Sequence, residues 1–117
     1  MEKIAIIGSG LIGRAWAMVF ARAGHPVKLY DNAPGAAQKA LSLIEDGLRE
    51  LKQFGLIEEA PAAVARRVTA ADSLADAVGD ADYVQENTSE NLEIKREVFA
   101  RMDEGAPARC RLAGHTS

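Results

Sequence analysis

A six-residue glycine pattern near the amino end, Gly8-Ser9-Gly10-Leu11-Ile12-Gly13, restricts what this chain can fold into more than any other feature. It is preceded by Lys3-Ile4-Ala5-Ile6-Ile7, which reads as a buried strand, and followed by an alanine-rich apolar segment to Ala23, which reads as a helix. A second strand, Val27-Lys28-Leu29-Tyr30, ends on Asp31. Strand, glycine turn, helix, strand and terminal acid make a β-α-β unit suited to a dinucleotide. Gly8 lets the chain turn out of the first strand, Gly10 keeps a side chain away from a pyrophosphate, and Gly13 lets the helix lie close to the sheet. Ser9 lies within this turn, and the amides around Leu11 and Ile12 offer unpaired donors at the positive end of the helix dipole.

Asp31 comes 18 residues after Gly13, near the offset of about 20 expected for a carboxylate that accepts both ribose hydroxyls of an adenosine. A carboxylate there repels a 2′-phosphate. No arginine follows within Asn32-Ala33-Pro34-Gly35, so NAD is favoured over NADP. An FAD site opens on a similar pattern and is the lesser competitor. On the helix, Ala17 continues the small-residue spacing of the sheet-facing side, with Trp16, Val19 and Phe20 expected to add apolar bulk.

At 117 residues the chain accommodates one domain, whereas a full dinucleotide fold has two mononucleotide halves. Apolar residues reach 48% but aromatics only 5%, so the core must be built of Leu, Ile, Val and Ala. The net charge of −3, with both signs interspersed, gives no nucleic-acid footprint. Cys110 is the one cysteine, which excludes an intrachain disulfide and shows no cysteine-based metal site; a reducing cytoplasm is the plain expectation. No stretch approaches the about 18 apolar residues of a membrane span, and the start reads as a strand rather than a leader.

Further along, Ala23-Gly24-His25-Pro26 closes the first helix, with His25 read as a solvated loop residue. Ala37, Leu41, Ile44, Leu48 and Leu51 form one apolar stripe on a helix from about Pro34 to Phe54. Glu58 to Arg67 suits a shorter helix with Pro61 in its first turn. Val68-Thr69-Ala70 and Ala81-Asp82-Tyr83-Val84-Gln85 read as strands three and four, flanking a short helix over Asp72 to Val78. A helix from about Leu92 to Met102 follows, with Leu92, Ile94, Val98, Phe99 and Met102 as its apolar residues. A fifth strand belongs around Arg109 to Ala113, although Arg109, Cys110 and Arg111 suit a strand covered on both faces poorly. Alternating strands and helices predict an α/β, Rossmann-type, doubly wound parallel sheet that stops after about five strands, with a helical pair between strands two and three.

Two blocks of residues identify a family. Gly8 to Ala17 with Val27 to Asp31, and Val84-Gln85-Glu86-Asn87 through Asn91-Leu92-Glu93-Ile94-Lys95, resemble the NAD-binding domain of the L-3-hydroxyacyl-CoA dehydrogenase superfamily. Within it the likeness is to the lambda-crystallin or L-gulonate 3-dehydrogenase branch. The resemblance implies that Glu90 and Lys95 approach the nicotinamide half of NAD, and that Thr116 and Ser117 lie in a loop where the family places a substrate-binding serine. His115 departs from the family's usual Asn or Ser. On spacing alone, Asn87 and Glu90 read as a capping box and Lys95 as a solvated lysine. The resemblance implies an oxidoreductase of fatty-acid type metabolism that oxidises the 3-hydroxyl of an acyl-CoA or a small 3-hydroxy acid, homodimeric through a helical domain not contained in these residues. That domain supplies the family's general base, so residues 1–117 alone are expected to bind cofactor without turnover. The competing expectation is a non-catalytic dinucleotide-binding or crystallin-like module.

Overall fold

The computed structural model of the chain describes residues 2–87 and 92–114, with side chains of the second segment described from Arg96 to Ala113. Ten elements follow in order: β1 (Ile4–Ile7), α1 (Leu11–Arg22), β2 (Val27–Tyr30), α2 (Ala36–Gln53), α3 (Pro61–Ala65), β3 (Val68–Ala70), α4 (Leu74–Val78), β4 (Tyr83–Glu86), α5 (Leu92–Gly105) and β5 (Arg111–Gly114). The five strands form one parallel sheet in the order β3-β2-β1-β4-β5. The chain therefore walks outward from β1 to β3, then crosses back to start β4 on the other side of β1. At that reversal the loops leaving β1 and β4 part in opposite directions and open a crevice at the strands' carboxyl ends.

The pleat divides the core in two. Ile4, Ile6, Val27 and Leu29 face α1 and α2, meeting Ala17, Ala21, Ile44 and Leu48, while Ala5, Ile7 and Val84 face α4 and α5, meeting Leu74, Val78 and Met102. Helices thus cover both faces, as parallel strands with apolar residues at successive positions require. The helical pair lies between β2 and β3 as expected, with Pro61 at the start of α3.

Three details differ from the sequence expectation. Helix α1 packs through Gly13, Ala17 and Ala21, whereas Trp16 and Val19 point outward, 38% and 51% exposed; small residues alone fit where the helix lies nearest the sheet. Trp16 instead stacks on Phe20, ring centres 5.9 Å apart. Strand β5 does form, beginning two residues later than expected and leaving Cys110 outside it. It lies at the sheet's edge, where Arg111 remains at the surface, ion-paired with Glu2 and 5.6 Å over the Tyr83 ring. Helix α5 begins at Leu92, so Asn87 does not occupy its cap position. No helix among the described residues is long and apolar enough to cross a membrane.

Candidate functional site

Everything the glycine pattern predicts meets at the carboxyl ends of β1 and β2. Gly8 adopts a left-handed backbone, φ +99°, and its amide donates to the Tyr30 carbonyl at 2.7 Å, tying the turn to the end of β2. A Cβ on Gly13 would lie 1.8 Å from the Gly8 carbonyl oxygen, so the first turn of α1 touches the backbone it leaves and only glycine fits. Gly10 is the N-cap residue; no side chain caps the helix and no acid lies in its first turn. The amides of Leu11 and Ile12 therefore face an open approach, with the Leu11 and Ile12 side chains themselves 76% and 44% exposed.

Asp31 faces this turn. Its Oδ2 accepts from the Ser9 amide at 2.8 Å and the Ser9 hydroxyl at 2.7 Å, and its Oδ1 accepts from the Ala33 amide at 2.9 Å. Partial burial pushes the carboxyl up, but the Ala33 and Ser9 amides and the Ser9 hydroxyl outweigh it and hold the group below its ordinary value. Ionised and fixed by three neutral donors, Asp31 keeps one of its roughly four acceptor positions open. Ser9, 5% exposed, turns its side chain to Asp31 rather than outward. A cleft of about 310 Å³ opens from this acid, walled by Gly10, Arg14, Ala36, Lys39 and Leu43.

On the other side of the crevice, the amide of Asn87 donates to the Ile7 carbonyl at 2.8 Å, bringing the end of β4 against the glycine turn. The Asn87 Nδ2 donates to the Gln85 carbonyl at 3.4 Å, while its buried Oδ1 has no partner among the described residues. Glu86, fully buried, ends β4 beside it. A larger cleft of about 500 Å³ lies at the opposite end of the sheet, between the end of α1 and the α2 to α3 connection. It has Arg22, Glu58 and Glu59 on an otherwise apolar lining and no glycine turn.

A sequence profile of the 3-hydroxyacyl-CoA dehydrogenase NAD-binding domain matches residues 3–117. The chain belongs to this family. The L-carnitine dehydrogenase of Streptomyces griseus subsp. griseus is 38% identical over 117 residues, all of this chain and 34% of that protein. The lambda-crystallin homolog of Rattus norvegicus is 41% identical over 102 residues, 86% of this chain and 32% of that protein. The chain spans about a third of the length of these curated relatives. Among solved structures, the 3-hydroxybutyryl-CoA dehydrogenase of Escherichia coli K12 superposes with a TM-score of 0.91 at 32% identity, covering 99% of this chain and 25% of that one.

NAD is the cofactor of the family's domain, and the residues present fit it. Three observations support the fit: the open space in front of Gly10, where a Cβ would meet no protein atom within 4 Å, the uncapped amides of α1, and the Asn87 oxygen at the strand reversal, which has no partner among the described residues. Of the residues expected from sequence, Gly8, Ser9, Gly10, Leu11, Ile12, Gly13 and Asp31 come together here. Glu90, His115, Thr116 and Ser117 lie outside the described residues, as does the side chain of Lys95. Sequence reasoning missed Arg14 and Lys39 as wall residues of the Asp31 cleft. Arg14 follows the glycine pattern directly and could have been found by asking where the first side chain after it points; Lys39 enters only through the packing of α2.

Proposed function

We propose that residues 1–117 are the NAD-binding part of a dehydrogenase that oxidises the 3-hydroxyl of a small 3-hydroxy acid or a 3-hydroxyacyl-CoA. The observation that carries this reading is the pairing of an uncapped helix amino end with a hydrogen-bonded, ionised Asp31 one strand away. The α1 amides take the pyrophosphate and the helix dipole favours its charge. Asp31 accepts a ribose hydroxyl at its remaining position, and a second one if the Ser9 hydroxyl rotates aside. When bound, the nicotinamide supplies the hydride acceptor. In this reading Glu90 and Lys95 hold the nicotinamide ribose, on the resemblance of the block from Val84 to Lys95, and Ser117 donates to the substrate oxygen, on the family's placing of a serine in the loop after strand five. The L-carnitine dehydrogenase and 3-hydroxybutyryl-CoA dehydrogenase relatives support a 3-hydroxylated substrate of either size. The setting we assign is the cytoplasm, in a homodimer formed through further residues of the parent protein.

Similarity to the lambda-crystallin homolog favours a second reading, a dinucleotide-binding module with no turnover of its own. Titrating NADH against the chain and its Asp31→Ala variant tests the shared part. A hydrogen bond to a charged group contributes about 1.5–3 kcal/mol, so affinity should fall at least about tenfold. An unchanged affinity in a folded variant overturns the assignment of Asp31. Dehydrogenase turnover by the parent protein separates the first reading from the second.

A further inference from the structure

Asn87 follows the last residue of β4 and stands where that strand returns beside β1. Its Oδ1 is, among the described residues, the one buried side-chain polar atom without a hydrogen-bond partner. A buried acceptor left so is destabilising and calls for a physical reason. No donor on the glycine turn relieves it. The Gly8 amide is committed to the Tyr30 carbonyl and the Asn87 amide to the Ile7 carbonyl, while the Ser9 amide and hydroxyl both serve Asp31. Turning the side-chain amide over is worse, because it sets Oδ1 against the Gln85 carbonyl that now accepts from Nδ2. That bond is long, 3.4 Å, and the residue as a whole is only half-buried, so the amide is lightly held at the edge of the crevice. The donor that suits Oδ1 is therefore one that arrives with a ligand.

We propose that Asn87 binds the nicotinamide half of the dinucleotide, its Oδ1 accepting an O–H or N–H that this half brings. The inference rests on the NAD reading and deepens it. With the pyrophosphate on the Leu11 and Ile12 amides and the adenosine ribose on Asp31, the rest of the dinucleotide runs across β1 toward the end of β4, because β2 and β4 flank β1 on opposite sides. The nicotinamide nucleotide carries donors of the required kind, ribose hydroxyls and a carboxamide N–H₂. An amide oxygen accepts either without placing a second negative charge near the pyrophosphate. An acceptor unpaired in the free chain and paired in the complex has opposite effects in the two states: removing it stabilises the free chain and weakens the complex.

The probes are ADP, ADP-ribose and NADH, which extend the ligand stepwise from the adenosine end, titrated against the chain and its Asn87→Ala and Asn87→Leu variants. Two variants are used because one leaves a gap and the other fills it. NADH affinity should fall about fivefold or more in both, with ADP affinity unchanged. A loss that already appears with ADP-ribose assigns the donor to the ribose, and one confined to NADH assigns it to the carboxamide; either supports the proposal. Without ligand, the urea midpoint of at least one variant should equal or exceed that of the original chain. An NADH affinity unmoved in a folded variant, or a loss shared equally by ADP, overturns the proposal. So does a midpoint that falls in both variants, since Asn87 then holds the fold rather than the ligand. If the unsubstituted chain binds none of the three probes, the NAD reading fails and takes the proposal with it, so the two failures are distinguishable.

Discussion

Replacing Gly13 by alanine places a methyl carbon 1.8 Å from the Gly8 carbonyl oxygen, roughly 1.5–2 Å inside ordinary contact. Backbone stands on both sides, so neither partner can swing away and α1 must retreat from β1. That retreat loosens Ala17 and Ala21, both fully buried against the sheet. Overpacking of this kind costs about 1–3 kcal/mol, offset by about 1 kcal/mol from alanine's better helix propensity. A net loss of about 1 kcal/mol lowers the melting temperature of a domain this size by about 4 °C. The same retreat displaces the Leu11 and Ile12 amides, so NADH affinity should fall by at least about tenfold. Gly10→Ala is the matched control: its methyl meets no protein atom within 4 Å, and the backbone there, φ −69° and ψ −170°, suits any residue. Stability should stay within about 0.5 kcal/mol while NADH binding weakens, because the methyl enters ligand space. Trp16 is the sole tryptophan, so energy transfer to NADH reads binding and circular dichroism reads melting. A Gly13→Ala chain that melts and binds like the original would refute the close-packing argument; a Gly10→Ala chain that loses stability but still binds would refute the division between the two glycines.

Asp31→Asn should remove a stabilisation that depends on pH. Because the folded carboxyl sits below its ordinary value, its contribution is fully present above the unfolded value of about 3.9 and disappears as pH falls through the lower folded one. Urea midpoints of original and variant should therefore differ near neutrality and converge in strong acid; a constant gap would contradict the hydrogen-bond assignment. Ser9→Ala should weaken NADH binding less than Asp31→Ala does, since the Ser9 and Ala33 amides continue to hold the carboxylate. Arg67 donates from Nη1 to the Ala21 carbonyl at 2.8 Å and pairs with Glu59, closing the carboxyl end of α1. Arg67→Ala should cost about 1–2 kcal/mol in chemical denaturation with NADH affinity little changed at the far end of the helix. Leu48→Ala, at a fully buried position, should cost about 2–5 kcal/mol and leave much of the chain unfolded at physiological temperature.

The first β-α-β unit was legible because its constraints are local. A left-handed turn at Gly8, a helix face of Gly13, Ala17 and Ala21, and an acid at the end of the next strand are all fixed by residues close in sequence. The stripe of α2 was legible for the same reason: Ala37, Ile44 and Leu48 are buried as their spacing predicts, with Leu41 and Leu51 partly so. Periodicity was less informative on α1, where Trp16 and Val19, expected to add apolar bulk, point outward. A close helix-to-sheet approach selects against bulk, which an apolar count does not detect. Strand β5 misled in the opposite sense, since Arg111 is unsuited to a sheet's interior and acceptable at its edge.

What the sequence by itself determined is the anion-binding turn, its partnering acid and the alternation of strands and helices, because each follows from steric and periodic rules acting over a few residues. Tertiary structure alone decided that β4 returns beside β1, which sets the Asn87 amide against Ile7 across 80 positions of chain. It also decided that Arg14 and Lys39 share a cleft with Asp31. Those meetings depend on which way each crossover turns and how closely two helices pack, and such long-range geometry leaves no local pattern to read.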